Sequence, residues 1–339
     1  MDRTLRFAII GCGRIAQRHA AEAAKYGTVA AVCDVVKQKA DQLAGEYNAA
    51  PYYSLDELLN KEKDRTDVAC ICTPNGLHAV HSVKSLNAGL HVLCEKPMSI
   101  HWADAALMIE TSEKNKKKLF VVKQNRFNPP VHFVKQLLDE KKLGRIINFQ
   151  LNCFWNRPVE YYKNHWHGSK ELDGGILYTQ FSHFIDILYW FLGDLISVIG
   201  YRSNKLHKGC IEFEDNGIAL LEMRDKVTGT LNYSINAFKK NMEGSLLLSG
   251  ETGTVKIGGQ YLNELEYFVV NNEGFPELSG GNKPNHYGYY EGSMSNHDKV
   301  YDAFVKAIED PAYPLPSPYD TMKTVEIIEK IYKSSPLLS

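Results

Sequence analysis

The first 120 residues alternate short apolar runs with stretches of helical periodicity. Apolar runs at 5–10, 29–33, 67–72, 90–94 and 118–122 predict strands, and amphipathic stretches at 14–25, 35–47, 55–61, 76–89 and 101–116 predict the helices between them. Ser54, three positions before Glu57, has the spacing of a capping box ahead of the third helix. Strands separated by helices of this length call for right-handed parallel crossovers and a doubly wound sheet. After residue 123 the pattern changes. A long strand is predicted at 145–155 and a strongly apolar helix at 174–192. Alternating segments with turn residues between them follow from 195 to 270 and predict an antiparallel sheet. Two helices, 294–309 and 319–334, close the chain. The fold class is α/β, with a doubly wound domain over 1–122 and a second α/β domain over 123–339.

The sharpest local signal lies where the first apolar run ends. Phe7-Ala-Ile-Ile-Gly-Cys-Gly-Arg-Ile-Ala16 carries a strand into Gly-x-Gly-x-x-Ala. Gly11 permits a tight turn, Gly13 lets the backbone approach a pyrophosphate, and Ala16 lets the helix pack close to the sheet. The helix that opens at Arg14 and Ile15 aims its free N–H groups at the phosphates. The second strand ends in Asp34, where a carboxylate accepts from the 2′-hydroxyl of an adenosine ribose and repels a 2′-phosphate. This reads as a Rossmann domain that takes NAD rather than NADP. The alternative is a structural glycine turn in an unliganded α/β domain.

Ligands of such a sheet bind beyond the carboxyl ends of its strands. Thr73-Pro-Asn-Gly-Leu-His78 and Glu95-Lys-Pro97 fall there, so Thr73, Pro74, Asn75, His78, Glu95 and Lys96 are candidates for the cofactor side. Lys96 precedes a proline, which restricts it to extended geometry. Partly desolvated beside a positive nicotinamide ring, its amine would give up its proton more readily and act as a general base. The alternative is a solvated lysine at a strand end. Within 174–192, Thr179, His183 and Asp186 have the spacing of one helix face, which brings a hydroxyl, an imidazole and a carboxylate together in an apolar helix. His183 is a candidate to share proton transfer with a lysine across a substrate hydroxyl, and Thr179 to bind a neighbouring substrate group. A core histidine with its hydrogen bonds met is the alternative. Cys153-Phe-Trp-Asn-Arg-Pro-Val-Glu-Tyr-Tyr-Lys163 and His165-Trp-His-Gly168 suggest exposed aromatics beside Arg157. Arg157 and Tyr161 would suit a ring or an anionic substrate group; an aromatic loop packed on the sheet is the other reading.

Composition narrows the classes. Lys plus Arg total 39 against 40 Asp plus Glu, so no net field favours nucleic acid or an anionic membrane. The lysines at 114 and 116–118 read as a solvated helix end. Seven scattered cysteines without a Cys-x-x-Cys pair suit small buried residues of a reducing compartment, with no metal site expected. The first strand begins almost at the N-terminus, leaving no room for a signal peptide, and no apolar run reaches the roughly 18 residues of a membrane span; a cytoplasmic location is expected.

At these same residues the chain resembles the glucose-fructose oxidoreductase / inositol dehydrogenase / rhizopine catabolism family, essentially end to end. The resemblance is carried by Gly11-x-Gly-x-x-Ala, Thr73-Pro-Asn, Glu95-Lys-Pro, Gln124-Asn-Arg-Phe-Asn-Pro, the Trp-x-Arg-Pro and Trp-x-Gly loops, the Gly-Gly…His183-x-x-Asp186 helix and Tyr332-x-Ser-Ser. It implies catalytic roles for Lys96 and His183, a cofactor contact at Asn125, a large, open, mostly antiparallel sheet in the second domain, and a dimer or tetramer. Many members carry an aspartate four residues before the histidine, where this chain has Thr179. The string from Tyr178 to Asp186 is similar to the subgroup of UDP-N-acetyl-2-amino-2-deoxyglucuronate dehydrogenases. That resemblance implies NAD-dependent oxidation of the 3-hydroxyl of UDP-N-acetylglucosaminuronate, for bacterial surface polysaccharide. Other sugar or cyclitol dehydrogenases, an NAD-dependent glycosidase using transient 3-oxidation, and a non-catalytic sugar and nucleotide sensor remain as alternatives.

Overall fold

The computed structural model of the chain describes residues 4–163, 166–286, 291–310 and 312–338. It divides into two compact units, Met1–Val122 with His297–Val325, and Lys123–Asn296 with Glu326–Ser339. The expectation of one uninterrupted second domain over 123–339 is thereby corrected.

The first unit holds β1 (Leu5–Ile10), α1 (Arg14–Tyr26), β2 (Gly27–Cys33), α2 (Lys37–Tyr47), β3 (Ala50–Tyr52), α3 (Leu55–Glu62), β4 (Val68–Ile71), α4 (His78–Asn87), β5 (His91–Cys94), α5 (Trp102–Lys114) and β6 (Leu119–Val121). Its six strands run parallel in the order β3-β2-β1-β4-β5-β6. Every residue of β4 is buried, as a central parallel strand covered on both faces requires. Three-residue β3 at the edge, with Pro51 inside it, is too short to leave a periodic signal. Ser54 stands at the N-cap of α3, but its side chain makes no capping bond, and Glu57 pairs instead with Lys61 at 2.7 Å. A later helix, α9 (His297–Glu309), belongs to this unit because of its aromatic face. Tyr301 lies 6.1 Å from Phe7, and Phe304 stacks on Phe120 at 6.0 Å.

The second unit contains α6 (Pro129–Asp139), β7 (Ile146–Phe154), α7 (Ile176–Thr179), α8 (Ser182–Leu192), β8 (Leu195–Ser203), β9 (Asn216–Met223), β10 (Thr228–Ser234), β11 (Glu243–Gly250), β12 (Gly253–Gly258), β13 (Glu264–Val270), and the small pair β14 (Pro284–His286) and β15 (Glu291–Met294). The boundary between units falls within α10 (Pro318–Ser334), which is followed by β16 (Leu337–Leu338). Eight strands form one sheet in the order β13-β12-β11-β7-β10-β9-β8-β16. Only β7–β10 and β8–β16 pair parallel. Leu151, Cys153, Leu231, Tyr233, Leu246 and Leu248 are buried, and Phe181 and Phe184 pack there with Trp155 and Tyr233. On β8 and β9, Ile199 opposite Leu220 and Tyr201 opposite Ile218 are exposed, as on a sheet with one open face. The sequence gives no forewarning of α6; its Pro129-Pro130 start, a disruptor elsewhere, suits the first turn of a helix.

Candidate active site

In the first unit the glycine turn joins β1 to α1. Gly11 has φ +90°, and a side chain there would come 2.7 Å from the Cys72 carbonyl oxygen, so both conformation and space demand glycine. Gly13 caps α1, and a Cβ at Gly13 would meet nothing within 4 Å. That opening, at a helix N-terminus with uncapped N–H groups, is a cradle for a pyrophosphate. Arg14 is exposed and Ile15 half-buried in the first turn. The Asp34 carboxylate accepts from the Cys12 N–H at 2.8 Å and the Val36 N–H at 2.7 Å, which ties the end of β2 to the glycine turn. Each oxygen keeps a second lone pair for a ribose hydroxyl. These residues fit NAD.

Thr73 and Pro74 are half-buried, whereas Asn75 and His78 are buried. The His78 ring lies between the Thr73 carbonyl at 2.8 Å and the Pro97 carbonyl at 2.6 Å, and burial lowers its pKa. Its side chain therefore braces two loops and is spent inside the protein. The Glu95 side chain likewise makes hydrogen bonds inside the protein. Its Oε1 accepts from His19 at 2.9 Å and His297 at 3.1 Å, and its Oε2 accepts from the Lys96 backbone N–H at 3.1 Å. Burial alone would raise the Glu95 pKa, but the two imidazole hydrogen bonds hold it well below the carboxylate range. Lys96 follows at the end of β5, half-buried.

In the second unit the expected single helix over 174–192 is two. Phe181, at φ −110° and ψ 2°, separates α7 from α8, so Thr179 and His183 do not share one continuous helix face. Phe181 is fully buried against Trp155, Phe184 and Tyr233, packing that overrides the local periodicity. The Asp186 carboxylate is locked by Lys123 at 2.9 Å and by two bonds from Arg126 at 2.8 Å. Burial would raise its pKa, but these cations hold it far below the usual range. Asp186 is therefore a structural anchor, and the expected stripe of three groups on one continuous helix face is not formed. His183 is buried, with Nε2 3.4 Å from Gln124 Nε2. Gln124 Oε1, Asn125 Nδ2 and Gln180 Oε1 are buried without a partner, the kind of atoms that a polar ligand or water satisfies. Asn125 Oδ1 accepts from Ser293.

The Thr179 hydroxyl donates to the Asp173 carboxylate, whose other oxygen accepts from the Gly168 N–H at 2.8 Å. Sequence reasoning missed Asp173, although Gly174 and Gly175, at φ +86° and +129°, signal the turn that folds it back toward Thr179. The aromatics near Arg157 are not exposed: Trp155, Tyr161 and Tyr162 are buried. The guanidinium lies 5.0 Å from the Trp155 ring and 5.5 Å from that of Tyr161, and donates to Asn156 O, Asn241 Oδ1 and Glu291 O. Much of Arg157 is thus used in holding its own loop, and Tyr161 OH accepts from Gln180 at 3.3 Å. His165 lies outside the described residues. All seven cysteines are unpaired. No helix among the described residues is long and apolar enough to cross a membrane.

Residues 5–123 match the model of an oxidoreductase family with an NAD-binding Rossmann fold, and residues 131–256 match the GFO/IDH/MocA C-terminal domain. Two solved structures are similar over 98% of the chain, each at TM-score 0.86. One is the WlbA dehydrogenase of Bordetella pertussis in complex with NADH and UDP-GlcNAcA, at 30% identity over 96% of that protein. The other is the WlbA dehydrogenase of Chromobacterium violaceum with the same two ligands, at 32% identity over 94% of that protein. A curated relative, the 1-carboxy-3-chloro-3,4-dihydroxycyclohexa-1,5-diene dehydrogenase of Comamonas testosteroni, is 30% identical over 52% of this chain, a match that spans 46% of the relative's length.

Proposed function

Because the chain belongs to the GFO/IDH/MocA oxidoreductases, we propose that it oxidises the 3-hydroxyl of UDP-N-acetylglucosaminuronate to the ketone, using NAD⁺. The observation that carries this reading is the match over nearly the whole chain to two dehydrogenases whose structures hold NADH and UDP-GlcNAcA. Lys96 removes the hydroxyl proton, and His183 assists. NAD⁺ would supply the hydride acceptor, so that loss of the hydroxyl proton to Lys96 and of a hydride from the same carbon turns one alcohol into one ketone, with NADH and a proton as the other products. Gly11, Gly13 and Asp34 hold the dinucleotide, and Thr179 accepts a hydrogen bond from the sugar. The product suits a bacterial surface polysaccharide route, in the cytoplasm. A second copy of the chain covers the exposed Ile199, Tyr201, Ile218 and Leu220 on the open sheet face. Light scattering of Leu220→Glu should then report a smaller assembly than wild type.

The decisive test is a single turnover with stoichiometric enzyme, NAD⁺ and UDP-N-acetylglucosaminuronate, read by NADH absorbance and by product mass. A 3-keto product is expected. Its absence with the NAD site shown to be full would overturn the substrate, and sugar released without net NADH would point to a glycosidase.

A further inference from the structure

The first unit contains a buried cluster that the reaction above does not use. His19 from α1, Glu95 after β5 and His297 from α9 place their nitrogen and oxygen atoms within 4.8 Å of one another, all three side chains buried. The side-chain types suit a divalent cation, but the hydrogen-bond balance suits protons. Both Nε2 atoms face the one oxygen, Glu95 Oε1, at 2.9 and 3.1 Å. An ionised carboxylate only accepts, so each ring must carry its proton on Nε2. The other His19 nitrogen, Nδ1, lies 2.9 Å from Tyr301 OH, which in turn lies 3.3 Å from the Cys70 thiol, so a neutral His19 ring is satisfied by accepting there. His297 Nδ1 is buried with no partner, so a proton there would be an unmet donor. In the arrangement that meets every one of these contacts with neutral rings, each ring gives one proton to one carboxylate. This arrangement leaves Glu95 Oε2 for a single task, accepting from the Lys96 backbone N–H at 3.1 Å.

We propose that the His19–Glu95–His297 triad is a positioning device for Lys96, in which two neutral imidazoles fix the carboxylate that fixes the lysine's backbone. It rests on the reading of Lys96 as the base. It also gives α9, which is 202 residues beyond Glu95 at His297, a reason to return to the first unit. The three residues are positioning residues; Lys96 is the group that reaches substrate.

The test compares His297→Leu, which removes the donor, with His297→Gln, which restores an N–H, using NAD⁺ and UDP-N-acetylglucosaminuronate. His297→Leu is expected to lower kcat by about ten-fold or more, because a base misplaced by about 1 Å can cost roughly 10²-fold. The NAD Kd and the sugar KM should stay within about two-fold, and His297→Gln should recover most of kcat. Equal kcat losses in both variants, or losses in KM and NAD binding alone, would overturn the proposal. Nitrogen-15 NMR of the imidazoles in the wild-type holoenzyme decides the matter even if a variant fails to fold. Nε2–H tautomers at both rings support the triad; an imidazolium, an Nδ1–H tautomer or one equivalent of bound metal by elemental analysis overturns it. Failure of the parent reading looks different: Lys96→Met then keeps its single-turnover rate, or the wild type does not oxidise the sugar, while the tautomers stand.

Discussion

Two fully buried carboxylates, one in each unit, are kept ionised by opposite means. Glu95 is held by two imidazoles and a backbone N–H, all of them neutral donors in the triad proposed above. Asp186 is held by Lys123 and Arg126, so its surroundings are net positive. The first arrangement stands immediately before the lysine proposed as base; the second braces the helix that carries His183. A buried ion pair of matched cations is a lock, because removing one partner strands the others in low dielectric. A carboxylate held only by neutral donors stays electrostatically visible to its neighbours. The difference suggests that chemistry sits beside Glu95 and architecture beside Asp186.

The largest expected effect tests the chemical side of that contrast. Lys96→Met should cut single-turnover hydride transfer by at least the roughly 10²–10⁴-fold typical of a lost general base, with NAD binding retained. His183→Asn should slow the same step, and the double variant should be less than additive if both residues serve one proton. A near-wild-type rate in Lys96→Met would remove chemistry from the neighbourhood of Glu95.

Asp186→Ala tests the other side. It leaves Lys123 and Arg126 buried beside one another, a loss on the order of 3–5 kcal/mol. Urea denaturation should show the midpoint fall sharply, whereas activity in whatever remains folded should fall far less than in Lys96→Met. Full stability with lost turnover would make Asp186 a catalytic group and erase the comparison.

A third buried carboxylate, Glu214, sharpens it by intermediate character. It accepts from the Tyr332 hydroxyl at 2.7 Å and from Arg202 at 3.2 Å. Burial outweighs these bonds and raises its pKa to about 7. Between the unfolded value and about 7 the folded state binds the extra proton, so this group's contribution to stability declines as pH rises through that window. Glu95 and Asp186 have lowered values, so the stability they contribute is present above the ordinary carboxylate range and is lost as pH falls below it. Denaturation midpoints measured from pH 5 to 8 should therefore decline for wild type and flatten in Glu214→Gln. An unchanged slope in Glu214→Gln would show that Glu214 stays ionised across the range.

The sequence makes some of this legible and hides the rest for a physical reason. The strand of Leu5–Ile10, the glycine turn and Asp34 obey local rules: an apolar run, a φ only glycine tolerates, and a carboxylate at a strand end. Glu95-Lys96-Pro97 is visible for the same reason. The partners of Glu95 are not, because His19 and His297 lie in separate helices and only the folded unit brings them together. The same holds for Arg126 and Lys123 around Asp186, and for Asp173 beside Thr179. Periodicity over 174–192 misleads because it records which residues are apolar and not the backbone break at Phe181, which tertiary packing decides.

Asp34 offers the smallest effect and the cleanest boundary to the comparison. It is only half-buried, and two backbone N–H groups rather than ions or imidazoles hold it. Its charge therefore faces outward, toward a ligand that approaches the open space at Gly13. A ribose diol gives it a charge-assisted hydrogen bond, whereas a 2′-phosphate meets it as a like charge. Wild type should bind NAD more tightly than NADP. Asp34→Ala should weaken NAD by about ten-fold, the scale of one hydrogen bond to a charged group, and should weaken NADP less or not at all. The substitution also frees the Cys12 and Val36 N–H groups, so a small fall in melting temperature is expected alongside. Fluorescence titration of both dinucleotides checks the pair of affinities. Tighter NADP than NAD in the wild type would mean that the end of β2 reads a phosphate. Equal losses for both dinucleotides in Asp34→Ala would mean that the carboxylate braces the glycine turn and reads nothing.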